Sequence, residues 1–503
     1  MQKTALFSPT TDLNIDPLPE LPSSLLRLRL EEGVEFLGGM VSFSEASYAE
    51  FFQQKLNHVR VAWNRLASLD DPQVALTLFR MCGGLVQFQH LFATIDPTVL
   101  QTALVQLDRD IVSVLQSIIG HPISPELFDL ISLPIRHGGI GTLSACRLAP
   151  VIYGCAKIAT LDFVDTLLPA NMSHRYISSV EAQYHAFLHD FFQRCPVPEC
   201  HTLAEFRAEV DAHGLARRQY LSDCLHTSAV SSIRRRLTGR SLANFNASFA
   251  DYASDWLTAL PSMDVSFDPQ VFRIAMHRRY GLQLHDNLES RFCPMCSKKI
   301  LDPYGDHALV CRNGSERTKR HNELVQVLYR AIKTVVPAAS LEEKYLLING
   351  TNQRPADIFV PSLSHGQSYA IDVTVVAHTR AVFQSKLKDT ENIGCVAQSG
   401  VETKMKKFAE SCAHSGLVFI PFALDAGGGY SASAKNFVHL VCSLARGKSN
   451  CPLPVLKRRL RDHFAVVIQK WHSYFISNRY NYLRPHSVFH PSFDMNPQMC
   501  SFM

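Results

Sequence analysis

The sequence predicts a multidomain protein of the α + α/β class, with a helical region, a small Cys-Cys-His-Cys knuckle and an α/β domain on a mixed central sheet. Three observations predict it. Apolar residues recur at helical spacing from about Tyr48 to residue 285. A tight cysteine and histidine pattern follows at residues 293–311. Strand and helix signals then alternate over residues 340–440, the pattern of an α/β unit.

Composition excludes several classes. Hydrophobic residues make up 46% of the 503 and charged ones 19%, ordinary for a globular protein, with no low-complexity run and no internal repeat. No apolar window reaches the ~18 residues of a membrane helix, and Met1 opens onto a polar stretch, so neither a span nor a signal peptide is expected. The 14 cysteines are scattered along a long chain and are expected as reduced thiols. The net charge of +5 is mild, so only its distribution could point to nucleic acid.

Residues 1–45 hold strand-like pieces, "MQKTALFS" and "GVEFLGGMVSF", between Pro-rich turns. Residues 46–145 read as helical: "KLNHVRVAWNRLASL" sets Val59, Trp63 and Leu66 on one face, and Asp71-Pro72 opens the next helix. "SLPIRHGGIGTLSA" ends this run with a proline and three glycines, a turn in which backbone approaches closely. Residues 146–288 are helical again, with the basic segment "SSIRRRLTGRSL" and a helix "DWLTALP" ended by Pro261. The knuckle occupies 289–315. Residues 316–445 open with a helix from about Thr318 to Thr334 and continue as the α/β unit. Residues 446–503 are a basic helix and tail; between 446 and 484 nine Lys and Arg stand against one acid, Asp462.

The knuckle reads "CPMCSKKILDPYGDHALVC": Cys293-x2-Cys296, ten residues, then His307-x3-Cys311. Two close pairs of soft or borderline ligands around a turn-rich loop match a tetrahedral zinc site. The alternative is three buried thiols and a surface histidine, but the segment has little else from which to form a core. His321 and Asp306 are fallback ligands. Four protein ligands close the site, so this Zn²⁺ is expected to be structural. "CPVPECH", with Cys195, Cys200 and His201, lacks a second pair and reads as structural.

"RPADIFVPSLSHGQSYAIDVTVV" reads as a hairpin with one acid in each strand. Pairing Val360 with Tyr369 sets Asp357 directly opposite Asp372, about 4.5–5.5 Å away, where like charges are destabilising. A shared proton or a nearby lysine could offset this, and a hard divalent cation such as Mg²⁺ would do so best. The alternative places Asp357 in a turn cap and Asp372 on a solvent-facing edge strand. "AIDVTVVA" argues against it, because apolar residues occupy both faces and only Asp372 and Thr374 interrupt one of them.

Further pieces follow in order. "GVETKMKKFAE" puts Lys404 and Lys407 three apart on one helix face, near Glu402, where either could serve a scissile phosphate. "RTKRHNELVQVLYRAI" opens a helix with Arg320, His321 and Glu323; Glu323 could join the acidic cluster, and Arg320 and His321 are candidate nucleic-acid contacts. Arg234, Arg235 and Arg236 form a second basic segment. The tail helix carries Leu456, Leu460, Phe464, Val467, Trp471 and Phe475 on one stripe, with Lys457, Arg458, Arg459 and Arg461 beside it. Its basic flank could follow a phosphate backbone or be the solvated face of a docked helix.

The Cys-Cys-His-Cys knuckle, then "RHNEL", "RPAD", "IDVTVV" and a Lys-x-x-Lys-aromatic helix together resemble the restriction-like endonuclease of certain non-LTR retrotransposons, a branch of the PD-(D/E)XK superfamily. The resemblance implies that Asp357 and Asp372 bind a catalytic Mg²⁺ and that Lys404 or Lys407 is a catalytic lysine displaced to a helix. The family's Arg-Pro-Asp reads here Arg-Pro-Ala-Asp. Thr374 stands two residues after the second acid, where the superfamily has lysine, and Phe408 stands where the family has tyrosine. Residues 1–45 look like a remnant of a reverse transcriptase palm, 46–145 like its thumb and 146–288 like the connector. The likeness covers roughly 400 residues and is strongest at 291–376. The paired aspartates of a polymerase are not in this chain, so polymerisation by it alone is not expected; it looks like the C-terminal part of a longer element protein, or a relic.

The resemblance implies a divalent-metal-dependent DNA endonuclease, acting inside the cell and in the nucleus, with DNA and element RNA as partners and no membrane or small-molecule substrate. A different class, a binding module that keeps the fold and has lost the chemistry, is the rival. A zinc-containing regulator unrelated to mobile elements would leave Asp357, Asp372 and Lys404 scattered in the fold.

Overall fold

The computed structural model describes residues 33–42, 44–167, 217–262, 264–284, 291–341, 354–364, 366–448 and 451–480, with strand pieces at 5–7 and 26–28 and single helical positions at 178, 182, 205 and 208. "CPVPECH" and the tail beyond 480 lie outside the described residues. The architecture is mixed α/β and mostly helical. Among the described residues no helix is long and apolar enough to cross a membrane, and the cysteines are free thiols. The chain divides into two compact units, Met1–Leu69 with Ala75–Ile233, and Asp70–Val74 with Arg234–Met503.

In the first unit β1 (Ala5–Phe7) pairs in parallel with β2 (Leu26–Leu28), and β3 (Val34–Phe36) forms a hairpin with β4 (Gly39–Val41). Helix α1 (Glu45–Ala67) buries Phe52, Leu56, Val59 and Trp63, a stripe at helical spacing. The Trp63 ring meets Phe79 edge-on with centroids 5.4 Å apart, and its indole N–H donates to the Gly83 carbonyl. Helix α2 (Gln101–Ile119) stops at Gly120 in the left-handed conformation. Asp108 on α2 caps α3 (Ala145–Leu167) by accepting the Ala145 N–H at 2.6 Å. The glycine turn before α3 is as close as its composition suggests. A Cβ on Gly139 would stand 2.0 Å from the Leu133 carbonyl oxygen, a position no side chain can occupy.

In the second unit the sheet has the order β5 (Ile358–Ser364), β6 (Gln367–Val376), β7 (Leu417–Asp425). β5 and β6 are antiparallel with Val360 opposite Tyr369, the expected register. β6 and β7 are parallel, so a crossover is required, and the chain makes it partly as a helix, Cys395–His414. Both faces of β6 are covered. Ile371 and Val373 belong to the main core, whereas Ala370 packs with Phe408 and Cys412 of the crossover helix. Gly400 lets that helix lie close, since a Cβ there would meet Val376 Cγ2 at 3.0 Å.

Around the sheet stand α4 (Gly239–Ala247), α5 (Pro269–Tyr280), α6 (Asp306–Val310), α7 (Glu316–Val335), the crossover helix α8 (Cys395–His414), α9 (Ala432–Arg446) and α10 (Leu453–Tyr480). The 28-residue α10 is the spine: Leu456, Phe464, Val467, Trp471 and Phe475 of the expected stripe are buried, and Leu460 is half-buried. One core runs from Ile274 through Cys293, Cys311, the sheet and α9 to Tyr480. The segments expected as separate bodies at 289–315, 316–445 and 446–503 therefore share a core. The 146–288 segment, expected as one connector, is itself divided at Ile233 and Arg234. The physical reason is α10, whose apolar face is long enough to serve the knuckle and the sheet together.

Candidate functional site

The knuckle forms because its backbone closes on itself. Cys293 N–H donates to Lys299 O and Ser297 N–H to Cys293 O, both at 2.8 Å, and Phe292 bridges Ile300. Asp302 then organises the return: its carboxylate accepts the N–H groups of Tyr304 and Asp306 at 3.0 Å and of His307 at 2.7 Å, which seeds α6. His307 lies in the first turn of α6, and Cys311 is its C-cap. The ligand atoms of Cys293, Cys296, His307 and Cys311 all lie within 4.8 Å of one another, with Cys296 Sγ 3.4 Å from His307 Nε2. A tetrahedron with Zn–S of about 2.3 Å has edges of about 3.8 Å, so the four atoms fit such an ion. Among the described residues this is the one convergent cluster of three or more such ligands. Neither fallback ligand takes part. Asp306 is held by both Nε and an Nη of Arg240, at 2.5 and 2.9 Å, and His321 lies with Asp357.

The second grouping is built where β5 begins beside the middle of β6. Asp357 N–H donates to Ile371 O at 2.8 Å, holding Asp357 at the start of the ladder. One Asp357 oxygen accepts the Val373 N–H at 2.7 Å; the other lies 3.0 Å from His321 Nε2, near the start of α7. Asp372 is 6% exposed, and its Oδ1 accepts from Lys404 Nζ of α8 at 2.8 Å. Its Oδ2 is buried with no hydrogen-bond partner. Thus each carboxylate has one basic side chain, and the orphaned Oδ2 is an atom a hard cation would satisfy. Burial pushes the Asp372 carboxyl above its usual range; Lys404 opposes this and the charge of Asp357 adds to it. Burial would lower His321, but the hydrogen bond to Asp357 and the charges of Asp357 and Asp372 raise it overall.

The two lysines have different surroundings. Lys404 is paired with Asp372, whereas Lys407 is exposed and lies over the Phe408 ring at 4.6 Å. Glu323, expected to join the acids, instead accepts the indole N–H of Trp471 on α10. Its position two residues from His321 turns it about 200° around α7, onto the buried side. Arg320, a candidate nucleic-acid contact, is 6% exposed and bonds His472 Nε2 at 2.6 Å beneath the Phe475 ring, so it is a core residue. His321 also leaves the nucleic-acid set for the acidic cluster.

The other basic segments are partly consumed by the fold. Arg234 bonds Asn246 Oδ1 at 2.9 Å and covers the Phe249 ring; Arg235 and Arg236 are exposed. Arg458 ties Asp462 at 2.6 Å and the Thr258 hydroxyl, and Arg461 reaches Asp255 at 3.0 Å, so both dock α10. Arg459 is exposed and Lys457 half-buried. Sequence reasoning missed the pairing of His321 with Asp357, for which "RHNEL" offers no local signal.

No family model of known proteins matches this chain, and no curated protein matches it. The fold is that of a mixed α/β, mostly helical protein with a Cys3His cluster able to hold a metal such as zinc.

Proposed function

We propose that the chain is a divalent-metal-dependent DNA endonuclease module of the restriction-like kind, from a retrotransposon protein, with a structural zinc knuckle. One observation carries this reading. His321 pairs with Asp357 and Lys404 with Asp372, the two acids stand at neighbouring strands, and the second Asp372 oxygen is buried without a partner. Asp357 and Asp372 would hold Mg²⁺. Bound there, the ion would polarise a phosphodiester and lower the pKa of its water. Lys404 donates to the charge that develops on the phosphoryl oxygens. His321 and the Val373 amide keep the Asp357 carboxylate aimed. Arg235, Arg236, Lys457 and Arg459 offer exposed or half-exposed charge to a phosphate backbone, without reading bases. On this reading the protein acts on nuclear DNA, with element RNA as a further partner.

The experiment is nicking of supercoiled plasmid with Mg²⁺ by the purified chain and by Asp372→Asn. Nicking by the unaltered chain alone supports the reading. Equal nicking by both would remove the carboxylates from the mechanism.

A second reading, a nucleic-acid-binding relic without chemistry, draws on the 2.8 Å ion pair itself: Lys404 already neutralises Asp372 with no metal. DNA retention without cleavage by the unaltered chain would establish it.

A further inference from the structure

Beyond the C-terminal ends of the parallel strands β6 and β7 lies a small, solvent-open cleft of about 30 Å³. Its walls include Asn244, Ser248, Arg278, His378, Gly427 and Gln469, from α4, α5, α10 and the chain that follows β6 and β7. Three of these are polar and almost wholly buried: Arg278 is 7% exposed, His378 6% and Gln469 4%. The contacts of Arg278 are out of proportion to its burial. Among the described residues its guanidinium has one long bond, 3.5 Å to Gln469 Oε1, and no carboxylate ion pair. The acid nearest to it in charge, Asp306, is held by two nitrogens of Arg240. The Nδ1 of His378 is buried without a partner. Gln469 is held in turn by the Gly427 carbonyl, 3.0 Å from Nε2.

We propose that this cleft seats a phosphate group, bound by Arg278 and His378. A buried cation whose nearest carboxylate is committed to another arginine is costly, and an oxyanion that enters the cleft repays that cost. A guanidinium presents a planar fork matched to two phosphate oxygens, and a neutral imidazole adds one further N–H. The position agrees with the general place of ligands in open α/β sheets, outside the carboxyl ends of parallel strands. Because both groups lie deep, the ligand is a phosphomonoester or free phosphate that enters end-on, not a diester running along the surface. His378 follows Asp372 by six residues, at most about 21 Å along the chain. The site is distinct from the acidic cluster and does not depend on the nuclease reading.

Titration calorimetry of the zinc-loaded full chain with inorganic phosphate, in low chloride and without Mg²⁺, tests this. Saturable binding is expected, weakened at least tenfold by Arg278→Gln and by His378→Asn and unchanged by Asp372→Asn. Should Arg278→Gln fail to give the parent circular dichroism spectrum, His378→Asn decides alone. No binding by the unaltered chain, or binding undiminished in the folded variants, overturns the proposal. Anisotropy with a 5′-phosphorylated oligonucleotide and its 5′-hydroxyl twin separates the sources. A preference for the phosphorylated strand that disappears in His378→Asn identifies a nucleic-acid end, and phosphate binding without that preference identifies the free ion. Because no metal or cleavage is involved, failure here leaves the nicking result untouched.

Discussion

Lys404 Nζ lies 2.8 Å from Asp372 Oδ1, while Oδ2 of the same carboxylate is buried with no hydrogen-bond partner. Half of this carboxylate is satisfied by protein and half is not. Such an imbalance is costly for a structural acid and ordinary for one that binds something.

Lys404→Met removes the one donor to Asp372 among the described residues and leaves a buried anion. It should destabilise the second unit by about 1–3 kcal/mol, read from urea denaturation. Nicking should fall about 100-fold or more, whereas Lys407→Met should change stability by less than about 0.5 kcal/mol and nicking by less than about twofold. Equal effects from the two lysines would show that the Asp372 ion pair does not matter.

Zinc should be present at about one equivalent per chain. Cys311→Ser should abolish it and lower Tm by about 10 °C, since binding free energy of a structural site is folding free energy. The loss should reach α10, because Tyr480 donates to Asp302 O and Arg479 to Asn313 O, both next to the ligands. Hydrogen exchange at residues 472–480 would show this, and unchanged protection there would refute it.

His378 is buried neutral, its pKa pushed down to about 3 mainly by burial and also by the charge of Arg278. A folded-state pKa below the unfolded 6.5 means that the unfolded chain takes up the proton first. Its contribution to stability is therefore complete above pH 6.5 and is lost as pH falls toward 3. Stability measured against His378→Asn should show a difference that moves against the parent chain between pH 7 and pH 4. A pH-independent difference would mean that the ring is not neutral and buried.

Gly139→Ala should destabilise the first unit by about 2–4 kcal/mol, because its Cβ would overlap the Leu133 carbonyl oxygen, a backbone atom that cannot swing aside. Thermal unfolding gives the measurement. A change under half a kcal/mol would mean that the turn opens freely.

Patterns confined to a few neighbouring residues were legible in the amino-acid order. The pairing of Cys293 with Cys296 and of His307 with Cys311, the opposition of Val360 and Tyr369, and the buried stripe of α10 all follow from short ligand spacing, the two-residue alternation of strands or the helical repeat. The choice between Lys404 and Lys407 was not legible, since three residues apart on one helix they share a face and differ by about 4.5 Å of rise. Nor was the fate of the three residues opening α7: Arg320 in the core, His321 on Asp357 and Glu323 on Trp471. Their neighbours come from strands and helices tens of residues away, and a rotation of one residue on a helix exchanges a buried partner for an exposed one. Local sequence sets which residues can face together; only the packing of α7, α8 and α10 on the sheet decided which charges meet.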